Sequence, residues 1–80
     1  MRTKTIYSRE YKILLAMLKD ARTRKGVTQV QMAAKLKVQQ SAVGKYERGE
    51  LRMDLIQLRN WLKALGIPLT DFVAEYEDAL

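Results

Sequence analysis

Apolar residues recur at three- and four-residue intervals along almost the whole chain, and no stretch of useful length alternates with period two. That pattern predicts helices and no sheet. The first helix starts after Ser8, a good N-cap, and lines up Tyr11, Leu14, Leu15, Leu18 and Ala21, with Arg22 beside them. Lys19, Arg24 and Lys25 fall near its C-terminus, where the helix dipole favours cations, and Gly26 ends it as a left-handed residue. Thr28 restarts the helical pattern. Thr28 and Gln31 have the spacing of a capping box, and Met32, Ala33 and Leu36 form the inward face of a second helix ending near Leu36. After the short connection Lys37-Val38-Gln39, a third helix is expected from about Gln40 to Arg48. It turns Ala42, Val43 and Tyr46 inward and closes at Gly49. Asp54, with Gln57 three residues on, caps a fourth helix carrying Leu55, Leu58, Leu62, Leu65 and Trp61, closed by Gly66. Pro68 suits the first turn of a fifth helix, whose stripe is Leu69, Phe72, Val73 and Tyr76. The expected fold is all-α, a single five-helix domain over residues 1–80 with its core at about 9–76. One position resists this reading: Gly44, inside the third helix, costs it about 1 kcal/mol relative to alanine.

Charge narrows the function. The 80 residues carry a net charge of +6, unevenly placed. Residues 1–66 hold all fifteen Lys and Arg against five acids, whereas residues 67–80 hold four acids and no base. A small basic body attracts polyanions, nucleic acid above all, and the acidic end would sit away from the phosphates. The chain has no cysteine and no histidine, which removes disulfides, thiolate metal sites and the commonest general base. Without histidine to activate Ser8 or Ser41, and without a glycine-rich phosphate loop, no enzyme and no cofactor is expected. Asp71, Glu75, Glu77 and Asp78 read as a solvated acidic face. No run of about 18 apolar residues exists to span a membrane. The basic start MRTKTIYSREYK lacks the apolar core and cleavage site of a secretory signal, so a cytoplasmic protein is expected.

The second and third helices are the sharp feature. Both are short, each has a narrow apolar face, and about three residues separate them. Ala33 is small where the two would cross, Val38 fills the turn, and Val43 sits back toward Ala33. This is the geometry of a helix-turn-helix, whose second helix lies in the DNA major groove. The stretch TQVQMAAKLKVQQSAVGKYERGE resembles the Cro/repressor-type (Xre-like) helix-turn-helix family through Thr28, Gln29, Met32, Ala33, Leu36, Val38, Gln40, Ser41, Val43, Glu47 and Gly49. Arg22 and the helix end Ala64–Ile67 extend the resemblance over about residues 9–76. It implies a lambda-repressor-like fold. It also implies an ion pair between Arg22 and Glu47, a structural clamp between the first and third helices. Two residues depart from the family pattern: Lys37 stands where glycine is usual in the turn, and Gly44 where serine is frequent.

The DNA-binding residues expected on this reading are Gln29, Gln39, Gln40, Ser41, Gly44, Lys45 and Arg52. Gln39, Gln40 and Ser41 open the third helix, and the Gln40 amide can exchange two hydrogen bonds with adenine. Gly44 and Lys45 are assigned to the same outer face one turn on. Gln29, at the start of the second helix, would meet backbone phosphate, and Arg52 is a phosphate contact from the following loop. The expectation is a small regulator of transcription, a repressor, binding double-stranded DNA as a homodimer. The strip Leu69, Phe72, Val73, Tyr76 and Leu80 is either its subunit contact or simply core. The rival reading is a protein-interaction module on the same fold, such as an antitoxin bound to a toxin partner or an accessory subunit.

Overall fold

The computed structural model describes residues 8–80; the basic start of the chain, read above as no secretory signal, lies outside the described residues at 1–7. Five helices follow one another among the described residues: α1 (Arg9–Arg24), α2 (Gln29–Leu36), α3 (Gln40–Arg48), α4 (Leu55–Ala64) and α5 (Leu69–Ala79). No strand occurs among them.

The starts of three helices follow directly from their capping residues. The Ser8 hydroxyl accepts from the Tyr11 amide at 3.1 Å. Thr28 and Gln31 form the reciprocal capping box at α2, and Asp54 and Gln57 form another at α4. Pro68 is the N-cap of α5 rather than a residue of its first turn. Gly26, Gly49 and Gly66 all take positive φ at helix ends. Lys37 does the same, at φ 59°, ψ 45°, the one non-glycine residue among those described with positive φ. The tight end of α2 demands it, because the Val38 amide must reach back to the Ala33 carbonyl at 3.0 Å. The same closure at Gly49 lets the Glu50 amide bond the Lys45 carbonyl at 2.8 Å.

Helix α3 packs on both α1 and α2, α2 also on α4, and α5 on α1 and α4. Between them lie Leu18, Ala21, Met32, Ala33, Val43, Trp61, Leu62, Leu65 and Phe72, with Leu14, Leu36, Tyr46, Leu58 and Leu69 among the residues packed around them. Each large side chain fully buried here contributes about 1.5–3 kcal/mol. Trp61 meets the Tyr46 ring edge-on at 6.3 Å, and Tyr46 is fixed in turn by the Gln57 amide, which donates to its hydroxyl at 2.9 Å. The expected stripe of α4 is one turn too long: Leu55 is exposed, and packing begins at Leu58. Leu55 occupies the first helical position, ahead of the turn that meets its neighbours. The α5 strip divides similarly. Phe72 is core, Leu69 packs against it, and the Tyr76 hydroxyl donates to the Glu10 carbonyl, while Val73 and Leu80 stay exposed.

One ion pair ties the helices together. The Arg22 guanidinium of α1 makes two hydrogen bonds to the Glu47 carboxylate of α3, from Nε to Oε2 and from Nη2 to Oε1, with side-chain exposures of 7% and 5%. Arg22 Nη1 also donates to the Val27 carbonyl at 2.8 Å, and Gln29 Nε2 donates to Glu47 Oε1 at 3.1 Å. The resemblance implied this pair, and the structure adds Val27 and Gln29 to it.

Two stability outcomes follow from these contacts. Glu47→Ala strands a buried guanidinium and should cost about 3–5 kcal/mol in urea unfolding; a loss below about 1 kcal/mol would show that the pair is not a clamp. Lys37→Gly relieves a left-handed lysine and should stabilise by about 1 kcal/mol in the same measurement, whereas no gain would mean that the turn holds no strain.

Candidate nucleic-acid interface

The open surface of α3 is set by Val43, which is fully buried and fixes the inward direction of the helix. At 100° per residue, Ser41, Lys45 and Arg48 point most nearly away from it, and all three are exposed. Gln39 is the N-cap and makes no side-chain capping bond; Gln40 is the first helical residue, and both are exposed. The structure therefore puts Ser41 and Lys45 on the open face of α3 and leaves Gln39 and Gln40 exposed at its start, with amides, a hydroxyl and an ammonium all without a partner among the described residues. This set offers the donors and acceptors that read base edges and phosphates.

Three expected site residues stand differently. Gly44 is buried, not on the open face: it lies about 100° round the helix from Val43, on the flank toward Gln29, and the Arg48 side chain covers it. Gln29 is half-buried and spends its amide nitrogen on Glu47, so its side chain serves the clamp instead of turning out to solvent. At the start of α2 the Gln31 amide is taken by the Thr28 hydroxyl, which leaves the Gln29 and Val30 N–H groups without a partner within the helix. Arg52 is exposed, and its guanidinium stacks over the Tyr11 ring at 5.2 Å, which attaches it to α1.

Arg48 is the exposed residue of this face that the sequence reading leaves out. Its place follows from the 100° step round the helix from Val43, whereas Gln40 and Gly44, four residues apart, lie on the flank toward Gln29. Arg48 Nε donates to Glu50 Oε2 at 2.8 Å. That hydrogen bond, helped by the positive charges of Arg48 and Lys45, holds the Glu50 carboxyl below the usual carboxylate range.

Among the described residues no group of His, Cys, Asp or Glu is arranged to hold a metal ion, and no helix is long and apolar enough to cross a membrane.

The comparisons with known proteins bear on this surface. Among curated proteins no sequence relative matches the chain. A solved structure described as an XRE-family like protein from Pseudomonas syringae pv. tomato str. DC3000 is 35% identical, superposes with a TM-score of 0.86, and is matched over 98% of this chain and 95% of its own. The helix-turn-helix family model matches residues 18–72, a span running from the last turns of α1 to the first of α5 with the whole open face of α3 inside it. The chain thus belongs to the XRE-type helix-turn-helix family.

Proposed function

We propose that this protein is a sequence-specific double-stranded DNA-binding regulator of transcription, a repressor that occludes its site in the cytoplasm without catalysing any reaction. The observation that carries this reading is the open face of α3. On a helix-turn-helix framework it presents Ser41 and Lys45 unengaged, next to Gln39 and Gln40 exposed at the start of α3 and the first backbone N–H groups of α2. Helix α3 would lie in the major groove with Gln40 and Ser41 against base edges, Lys45 within reach of a guanine edge or a phosphate, and the start of α2 on the sugar–phosphate backbone. Arg52, stacked on Tyr11, would add a phosphate contact from the side of α1.

A nine-residue helix spans only a few base pairs, so specificity calls for a second copy with half-sites about one turn, roughly 34 Å, apart. The apolar surface for that contact is better supplied by α4 than by α5. Leu55 and Ile56 are adjacent and exposed to 66% and 71%, whereas most of the α5 strip is engaged in the fold. The protein-interaction alternative gains no comparable support from the structure, since the charge balance and the polar face of α3 both suit DNA.

Two measurements test the proposal. Binding-site selection should return a defined sequence bound with a steep salt dependence, and Gln40→Ala should relax preference at about one base pair, by about 1–3 kcal/mol, without changing the melting temperature. An unchanged selected sequence would remove Gln40 from base reading. Ile56→Glu should abolish cooperative binding to paired half-sites while leaving single half-site affinity within about twofold; retained cooperativity would move the subunit contact elsewhere.

A further inference from the structure

The last turn of α3 holds a second arrangement, built on Arg48, Gly44 and Glu50. Arg48 folds back along the helix toward its N-terminus, the direction helical side chains take. Its Nη1 lies 2.9 Å from where a Cβ on Gly44 would stand, so the guanidinium rests on bare backbone one turn earlier. Nε and Nη2 face Glu50, with donor–acceptor distances of 2.8 and 3.4 Å. The opposite edge of the guanidinium, formed by Nη1 and the second N–H of Nη2, has no partner among the described residues. Both side chains of this pair are more than half exposed, unlike those of Arg22 and Glu47.

We propose that Arg48 is a phosphate contact of the DNA-bound protein, seated by Gly44 and held ready by Glu50, whose carboxylate a backbone phosphate replaces on binding. This rests on the DNA-binding function proposed above. Three observations support it. Arg48 shares the open face with Ser41 and Lys45. Its bond to Glu50 is an exposed surface ion pair, of the kind that contributes little, so exchanging it costs little. A phosphate offers the guanidinium the same two-oxygen geometry as the carboxylate. Position decides between phosphate and base: in a helix-turn-helix the N-terminal residues of the recognition helix meet the bases, which leaves its last turn to the strand backbone. Gly44 then has a reason to be glycine. A methyl group there would push the guanidinium off its seat, and the atom it meets is the far end of a flexible side chain, so the helix itself would tolerate the change. Gly44 is a positioning residue that acts through Arg48.

The experiment is a salt titration of binding to the selected DNA site and to a mismatched site, for the unaltered protein, Arg48→Ala, Gly44→Ala, Glu50→Gln and the Gly44→Ala/Arg48→Ala pair, with thermal melts of each. Arg48→Ala should weaken binding about tenfold on both DNAs and reduce the slope of log affinity against log salt by about 1. Gly44→Ala should raise the melting temperature yet weaken binding, and should add nothing once Arg48 is already alanine. Glu50→Gln should tighten binding. An unchanged slope in Arg48→Ala overturns the proposal. So does a Gly44→Ala effect that persists without Arg48, and so does a loss confined to one DNA sequence, which would make Arg48 a base reader. If the unaltered protein binds no DNA, the regulator function itself fails; if it binds and Arg48 is indifferent, only the present inference does.

Discussion

Arg22, Glu47 and Gln29 come from three different helices and meet in one buried hydrogen-bonded cluster. The apolar core could be filled by many arrangements of short helices, since burial is not directional. A bidentate guanidinium–carboxylate contact is directional, and its planar fork fixes both distance and angle. With Glu47 on the inner side of α3, Arg22 on α1 and Gln29 at the start of α2, the cluster joins buried Val43 in setting how far α3 is rotated about its own axis. That rotation decides which residues face outward. It puts Ser41, Lys45 and Arg48 on the open surface and Gly44 on the flank. Such a pair adds little net stability against an apolar substitute of the same shape; what it contributes here is register.

The turn between α2 and α3 supplies the second constraint. Lys37 accepts a left-handed conformation so that Val38 can close the end of α2 and Gln39 can begin α3 at once. A lysine in this place carries local strain that glycine would not, while adding a positive charge beside the proposed DNA face. At the other end of α3 the closure falls on a true glycine, Gly49. Helix α3 is thus held between two tight backbone turns and one buried ion pair, and its exposed side chains are free of structural duty apart from Arg48.

Much of this was legible in the sequence, and the physical reason differs from element to element. Ser8, Thr28 and Asp54 marked helix starts because capping is a local interaction that a few consecutive residues settle among themselves. The end of α2 at Leu36 and the positions of Gly26, Gly49 and Gly66 were legible for the same reason. Leu55 has the spacing of the stripe yet stays exposed, because periodicity shows which face a residue shares but not whether anything stands opposite it. The bond from Gln29 to Glu47 joins residues eighteen apart and leaves no local trace in the sequence. The flank position of Gly44 follows from its 100° step from Val43, whereas the Arg48 side chain folded over it is a rotamer and not a pattern. Arg48 itself was within reach of a helical wheel drawn from Val43.

The central claim is that the open face of α3, oriented by the Arg22–Glu47 clamp, is the surface that meets DNA. Amide and side-chain NMR shifts recorded during titration with the selected duplex test it most directly. The account predicts that the large changes fall on Gln39, Gln40, Ser41, Lys45, the Arg48 Nε–H and the first amides of α2, with the α5 amides unmoved. Changes centred on α5 or on the exposed end of α4, with α3 silent, would contradict it.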